Sequence, residues 1–465
     1  MDKVGSWDSM RESVDFVRRY NENIQLNTGV QSAAFIHSYG CQQNVSDGEK
    51  MSGMLSAMGY DFCDNPNEAD IVIYNTCAVR GNAEGKIYGN AGALKHVKAR
   101  KPEMILALCG CMMQQEAVAE KIKKSYPYID LVFGPSAMPA LPKMIHEKII
   151  TGERVFTVID ETAEIAEDLP IKRDGKYKAW VPIMHGCNNF CTYCVVPFVR
   201  GRERSRDSKN ILGEIKELAA DGFKEITLLG QNVNSYKSGD TGFVELIRMI
   251  NEIPGDFRVR FMTSHPKDCS RELIDAIAEC GKICNHLHLP FQSGSDRILK
   301  LMNRGYTVES YLDIINYARE KIPDITFTSD VIVGFPGEEY SDVQKTIELI
   351  KKIRFQSLYT FIYSKRSGTK AAEMQDNVSD ETKHEWFSEL LEIQNNISRE
   401  KFRELIGTHA VVLAELGAKS GEGYITGKNV SNVTVDFKGA EELAGKFVNV
   451  KITQALNWAL LGEIE

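Results

Sequence analysis

The chain has 465 residues, of which 43% are hydrophobic and 26% charged, and its formal net charge is -8. That length exceeds one ordinary core and predicts about three domains, while the composition is globular and excludes a disordered chain. The acidic balance excludes a polyanion binder of the globally basic kind, so any nucleic-acid contact must come from local basic patches. The first thirty residues hold Asp2, Asp8, Arg11, Glu12, Asp15 and Arg18 with no apolar run, and no later stretch is long enough to span a bilayer. No signal peptide and no membrane partner are expected. The eleven cysteines, an odd count without a secretory signal, point to metal or redox use in the cytoplasm rather than to a disulfide framework.

In chain order, short apolar runs alternate with amphipathic ones from residue 32 onward. Strands are expected at 33–38, 70–75 and 104–108, and helices at 47–58, 83–99 and 114–124. They form a small parallel-sheet (βα) domain over 32–150, behind an N-terminal extension, 1–31, of no assigned role. A polar stretch at 161–174 marks a linker, placed at 151–174. The alternation then restarts, with strands at 179–184, 225–229, 258–263, 286–290, 326–333 and 358–363 and helices between them. Six repeats predict a partial (βα)6 barrel over 175–400, since a full one needs eight. After a polar helix at 381–404, strands at 410–415, 423–426, 433–437 and 447–452 predict a small antiparallel β-barrel over 401–465. The fold class is α/β.

Gly186-Cys187-Asn188-Asn189-Phe190-Cys191-Thr192-Tyr193-Cys194 directly follows the first strand of the six-fold segment, where barrels of this kind place their active sites. Thiolates suit iron-sulfur clusters, and three of them on a cubane leave one iron without a protein ligand. In radical enzymes S-adenosylmethionine occupies that iron, and an electron from the cluster breaks its sulfonium bond to release a 5'-deoxyadenosyl radical. A structural zinc site would need a closed tetrad. His185 is adjacent to the loop, but the strand-end position and the barrel context favour the cluster.

Three more cysteines end strands of the first domain: Cys41, Cys77 and Cys111. The C-terminal strand ends of a parallel sheet share one edge, so these thiolates can converge on a second cluster with an open iron. Cys109 is the rival to Cys111, but it lies two residues deeper in the strand, where a core role fits better. Cys63, Cys269, Cys280 and Cys284 read as buried thiols.

Ser38-Tyr39-Gly40-Cys41-Gln42-Gln43-Asn44, Asn75-Thr76-Cys77-Ala78-Val79-Arg80 and Gly110-Cys111-Met112 resemble the N-terminal motifs of the radical S-adenosylmethionine methylthiotransferase family. Cys187 to Cys194, followed by Val195-Val196-Pro197-Phe198-Val199-Arg200-Gly201-Arg202-Glu203-Arg204-Ser205-Arg206, is similar to its radical core, and the C-terminal strands to its TRAM domain. The resemblance covers nearly everything from about Ala33 onward. Leu229-Gly230-Gln231-Asn232-Val233-Asn234-Ser235-Tyr236 and Thr263-Ser264-His265-Pro266 look most like the tRNA 2-methylthio-N6-isopentenyl(dimethylallyl)adenosine synthase branch. The chain departs from the family pattern in its leading 30 residues and in Glu339, where that loop often has Thr.

The resemblance implies a tRNA modification enzyme with two 4Fe-4S clusters and S-adenosylmethionine, which replaces an unactivated C–H bond at carbon 2 of an adenosine beside the anticodon. One S-adenosylmethionine would methylate a sulfur on the auxiliary cluster, and another would yield the radical. The partners expected are a tRNA anticodon stem-loop and an electron donor such as a flavodoxin or ferredoxin, with the chain acting as a monomer. No catalytic residue is assigned beyond the cluster ligands. Tyr193, Gln231, Ser264, Gln292, Ser293, Asp330 and Gly334 stand at or near strand ends and are candidates to bind the cofactor. Arg200, Arg202, Arg204 and Arg206 form a basic run that would contact RNA phosphates. Residues 401–465 hold seven Lys or Arg against eight Asp or Glu, so charge alone does not mark that barrel as an RNA binder. The rival readings are the same chemistry on another tRNA adenosine or on a ribosomal protein, and a non-catalytic iron-sulfur RNA-binding sensor.

Overall fold

The computed structural model describes residues 7–78, 81–158 and 165–465, and within 81–84 the backbone alone. Val79 and Arg80 of the second N-terminal motif, and the first residues of the expected linker at 161–164, lie outside the described residues. The chain forms two compact units: Met1–Asp174 with His185–Asn188 and Val195–Arg206, and Gly175–Met184 with Asn189–Cys194 and Asp207–Glu465.

The first unit is built on a six-stranded, wholly parallel sheet of β1 (Ala33–Ser38), β2 (Asp61–Phe62), β3 (Ile71–Thr76), β4 (Ile105–Gly110), β5 (Leu131–Phe133) and β6 (Val155–Thr157), in the order β2-β1-β3-β4-β5-β6. β3 and β4 are buried along their whole length, and they are apolar apart from Asn75 and Thr76 at the end of β3 because helices cover both faces of a parallel sheet. The helices are α1 (Arg11–Thr28), α2 (Gln42–Ala57), α3 (Gly81–Ala93), α4 (Lys95–Arg100), α5 (Glu116–Ser125) and α6 (Leu141–Thr151). The three strands expected from sequence are present, and three shorter ones join them. The expected helix over 83–99 is two helices, α3 and α4, and α2 begins at Gln42, five residues earlier than its apolar pattern suggests. α1, absent from the sequence reading, buries Val14, Val17 and Asn21 on one stripe and ends at Gly29 in the left-handed conformation. Asn21 Nδ2 donates to the Met58 carbonyl at 2.9 Å, which docks α1 onto the end of α2.

The second unit contains the six expected barrel strands as two parallel three-stranded sheets, Lys178–Pro182, Glu225–Leu229 and Arg258–Phe261, then His286–His288, Thr326–Val333 and Ser357–Ile362. A parallel bridge between Val259 and Ile283 joins them into one incomplete barrel. Its core includes Val181, Ile226, Leu228, Val259, Leu287 and Val331, with helices packed outside. The C-terminal strands close into a five-stranded barrel, one strand more than expected: Leu460–Ile464 pairs with both Thr434–Lys438 and Phe447–Ala455. Glu225, on the second strand of the partial barrel, accepts from Arg258 Nε at 2.8 Å and Arg260 Nε at 2.7 Å. Those two arginines also donate to the carbonyls of Lys428 and Val430 and so tie the two barrels of this unit together.

No helix among the described residues is long and apolar enough to cross a membrane.

Candidate functional site

In the first unit, β1, β3 and β4 are adjacent and parallel, so their C-terminal ends share one edge. Cys41 follows β1 as the N-cap of α2, Cys77 follows β3, and Cys111 opens the 3-10 turn after β4. Each of two cysteines is preceded by a glycine at positive φ. A Cβ on Gly40 (φ 123°) would stand 2.4 Å from the Cys77 Cβ, and one on Gly110 (φ 96°) 2.4 Å from Asn75 Oδ1. Only glycine tolerates both the conformation and the closeness.

Asn44 organises this edge. Its Nδ2 donates to the Thr76 carbonyl at 2.8 Å, and its Oδ1 accepts from Arg200 Nη2 at 3.1 Å and from the Cys41 thiol at 3.6 Å. Arg200 is itself buried; its Nη2 reaches Asp47 Oδ2 at 2.8 Å and its Nε reaches Cys111 Sγ at 3.1 Å. The hydrogen bond with Cys77 lowers the Cys41 thiol to about 5 against burial, helped by the Arg200 charge and the amides of Asn44 and Gln43. Burial pushes Cys111 up, and Arg200 opposes that. Cys109 is elsewhere: its thiol lies 3.7 Å from Met51 Sδ in the core under the sheet.

Among the described residues no three His, Cys, Asp or Glu side chains converge tightly enough to hold a single metal ion. Three thiols at one sheet edge beside a buried cation are a donor set of the kind that suits a cluster, in which each thiolate takes its own iron.

Of the second cysteine loop, Cys187 belongs to the first unit and Cys191 and Cys194 to the second. In the first, the Cys187 amide donates to the Gly201 carbonyl at 3.2 Å, and Val195 and Val199 pack with Ala78 and Cys111. In the second, Thr192 donates to the Met302 and Leu301 carbonyls at 3.1 and 2.9 Å, and Asn303 Nδ2 caps the Phe190 carbonyl at 3.1 Å. Arg304, also buried, donates from Nη1 to Cys191 Sγ at 3.4 Å and from Nη2 to the Pro290 carbonyl at 2.9 Å. The Tyr193 ring packs against Ile298, Met302, Phe335 and Ala371.

At the strand ends of the partial barrel, polar atoms are buried without a partner: Gln231 Oε1, Asn232 Oδ1, both side-chain atoms of Asn234, Ser264 Oγ, His265 Nε2, Gln292 Oε1 and the Tyr363 hydroxyl. His265 Nδ1 accepts the Lys267 amide at 3.3 Å. Burial, with Arg304 and Lys267 nearby, lowers its imidazole to about 2, so Nε2 is the protonated nitrogen of a neutral ring. Two residues in these loops, Thr263 (φ 70°) and Gln292 (φ 65°), hold positive φ without being glycine, a strain that collects at functional sites. Buried polar atoms left unpaired cost about 1–3 kcal/mol each. Their concentration at one end of the strands fits a polar ligand with amino, carboxylate and ribose groups. Gln231, Ser264 and Gln292 are thus in such a set, while Asn232, Asn234, His265 and Tyr363 were not singled out from sequence, although the first three lie in the quoted motifs. Ser293 is buried, with its Oγ accepting the Ser295 amide at 3.3 Å, and Asp330 Oδ1 stands 3.6 Å from His288 Nε2.

Gly334 donates its amide to Glu338, and the Lys383 stem lies 2.6 Å from where its Cβ would be. One expectation is corrected. Arg200 and Arg206 are not surface cations for RNA phosphates: both are buried, Arg200 against Asp47 and Cys111, Arg206 on Glu167 at 3.2 Å. Of the basic run, Arg202 is exposed and Arg204 half-buried. A solvent-facing groove beside the C-terminal barrel is lined by Arg399, Arg403, Lys419, Asp436 and the 68% exposed Trp458.

Comparison with known proteins matches residues 181–350 to the radical SAM superfamily and residues 33–134 to the family described as uncharacterized protein family UPF0004. The chain is 50% identical to the tRNA-2-methylthio-N(6)-dimethylallyladenosine synthase of Acetivibrio thermocellus over 97% of its own length and 95% of the relative's. It is 50% identical to the enzyme of that name from Thermoanaerobacter pseudethanolicus, over 95% of each chain. The one from Clostridium beijerinckii is 47% identical, over 95% of this chain and 98% of the relative. Among solved structures, the radical S-adenosylmethionine methyltransferase TsrM of Kitasatospora setae shares the fold with a TM-score of 0.53 at 13% identity, over 83% of this chain and 79% of that one.

Proposed function

The chain belongs to the tRNA-2-methylthio-N(6)-dimethylallyladenosine synthase family, and from that we propose that it inserts a methylthio group at carbon 2 of N6-isopentenyladenosine, next to the anticodon of tRNA. The observation that carries the reading is the group of orphaned polar atoms at the strand ends of a barrel whose first strand leads into a three-cysteine loop.

We assign Cys187, Cys191 and Cys194 as ligands of the radical cluster, and Cys41, Cys77 and Cys111 as ligands of the auxiliary one. When bound, the clusters and S-adenosylmethionine supply the radical and the methylthio sulfur that replacement of an unactivated C–H bond requires. The protein's own groups do the rest. Asn44 spans the ends of β1 and β3, and Gly40 and Gly110 let the cysteine turns close on those strand ends. Arg304 and the Leu301, Met302 and Asn303 backbone hold the loop that carries Cys191 and Cys194. Gln231, Asn234, Ser264, His265 and Gln292 are assigned to bind and orient S-adenosylmethionine, with the His265 Nε2 proton as a donor. Tyr193 backs the loop with its ring, and Ser293 and Asp330 support the neighbouring strand ends.

In this reading 32–150 is the methylthiotransferase domain, 175–400 the radical core and 401–465 a TRAM-like RNA-binding barrel, with 1–31 and 151–174 as extension and linker. The enzyme works as a cytoplasmic monomer and takes electrons from a flavodoxin or ferredoxin.

The test is anaerobic reconstitution with iron and sulfide, followed by reductant, S-adenosylmethionine and isopentenylated tRNA, with nucleosides assayed by mass. About eight irons per chain, falling to about four in a Cys41→Ala/Cys77→Ala/Cys111→Ala variant, and a methylthio nucleoside from the parent alone, are expected. Cofactor cleavage without a methylthio nucleoside would overturn the substrate assignment.

A further inference from the structure

The segment Val195–Arg206 belongs to the first unit although it follows the second cysteine loop in the chain, and it brings a buried cation to the edge of the parallel sheet. Arg200 comes six residues after Cys194, the last cysteine of the radical loop, yet it is buried at the edge of the parallel sheet. Its guanidinium makes three bonds with defined partners, Cys111 Sγ at 3.1 Å, Asn44 Oδ1 at 3.1 Å and Asp47 Oδ2 at 2.8 Å. Asp47 alone would neutralise the charge. The planar fork does more, because Nε faces the sulfur while Nη2 faces the two oxygens, an arrangement that the point charge of lysine cannot reproduce. Val195 and Val199, from the same segment, pack with Ala78 and Cys111 and fix the approach.

Resting on the two-cluster reading above, we infer that Arg200 is a positioning residue that donates a charge-assisted hydrogen bond to the Cys111 thiolate and thereby raises the reduction potential of the auxiliary cluster. Hydrogen bonds to cluster sulfurs, net charge and burial set such potentials. A cation at one sulfur withdraws charge from that corner of the cubane and stabilises the added electron of the reduced form. Asp47 accepts from Nη2 at 2.8 Å and offsets part of the guanidinium charge, so the two residues act in opposite directions on the same sulfur.

The test uses the full chain carrying Cys187→Ala/Cys191→Ala/Cys194→Ala, so that only the first-unit cluster is present, labelled with [15N]arginine. One electron from dithionite reduces the cluster and no bond breaks, and the reduced state is followed by electron paramagnetic resonance at a series of potentials. Pulsed spectra of the reduced parent should show coupling to one arginine nitrogen. Arg200→Gln should lose that coupling while keeping its iron, and its midpoint should fall so that the reduced-to-oxidised ratio at the parent's midpoint drops roughly tenfold, which is 59 mV for a one-electron couple. Asp47→Asn should move the ratio the other way. Absence of arginine coupling in the parent overturns the inference even if Arg200→Gln loses its iron, and so do unchanged midpoints in iron-replete variants. A parent that binds no iron at Cys41, Cys77 and Cys111 instead overturns the two-cluster reading.

Discussion

Gly40 and Cys77 lie so close that a Cβ on the glycine would stand 2.4 Å from the cysteine's own Cβ and 3.0 Å from its Sγ. The turn after β1 is therefore closed onto the end of β3 by the absence of a side chain. Gly40→Ala has to relieve both this overlap and a φ of 123°, in a left-handed region that costs an L-residue about 1–2 kcal/mol. The strain falls on the thiol pair rather than on the core. We expect Gly40→Ala to fold but to hold about four irons per chain in place of about eight, with Gly110→Ala behaving alike; full iron in either variant would remove the steric argument.

Ser264 tests the ligand assignment through opposite signs. Its Oγ is buried without a partner, so Ser264→Ala relieves an unpaired hydroxyl and should leave the ligand-free protein as stable as the parent or up to about 1 kcal/mol more stable. The same change should weaken S-adenosylmethionine binding about tenfold, or about 1.4 kcal/mol. Calorimetry for stability and equilibrium dialysis for the cofactor give both numbers. An unchanged dissociation constant would show Ser264 to be structural.

Glu225 should govern part of the acid stability. Burial raises its carboxyl, but Arg260, Arg258 and Lys178 outweigh that and hold it at about 2. Because the folded value is the lower one, its contribution is fully present above the unfolded value near 4.3 and is lost as pH falls from about 5 toward 2. The size is about 3 kcal/mol. Urea unfolding as a function of pH should show this loss in the parent and a flatter curve in Glu225→Gln. The variant should also loosen the C-terminal barrel, since the arginines that Glu225 holds are the donors to the Lys428 and Val430 carbonyls.

RNA affinity should depend on the groove beside the C-terminal barrel. Arg399, Arg403 and Lys419 line it with an exposed Trp458, the combination of backbone-neutralising cations and a stacking face that single strands use. Replacing the three cations by Ala should lower the slope of log affinity against log salt by about 2, and Trp458→Ala should cost about 1–3 kcal/mol at any salt. Fluorescence anisotropy with an anticodon stem-loop measures both, and a slope that stays at the parent value would place the RNA elsewhere.

The sequence reading reached the larger elements because their signals are local. The six barrel strands recur at regular intervals between amphipathic helices, five of them with four residues or more, and that repeating pattern suffices to see them. β2, β5 and β6 have two or three residues each, too few to show alternation, and they become strands because neighbours offer them backbone partners. α1 escaped for a different reason: it is mostly polar, and its stripe of Val14, Val17 and Asn21 includes an asparagine whose burial is explained only by the Met58 carbonyl.

What the sequence determined by itself is the inventory and spacing of the thiols, the glycines before Cys41 and Cys111, and the succession of βα units, since each follows from residues near one another in the chain. The tertiary structure alone decided which polar groups face solvent. Arg200 and Arg206 read as a basic surface run, yet Asp47 and Glu167 from distant segments draw them inside. In the same way Asn234 and His265 become candidate ligand groups only because strands distant in sequence end side by side and leave their polar atoms unpaired. The desolvation of a charge and the pairing of a buried hydrogen-bonding group depend on what is packed around them in space, and chain order does not contain that information.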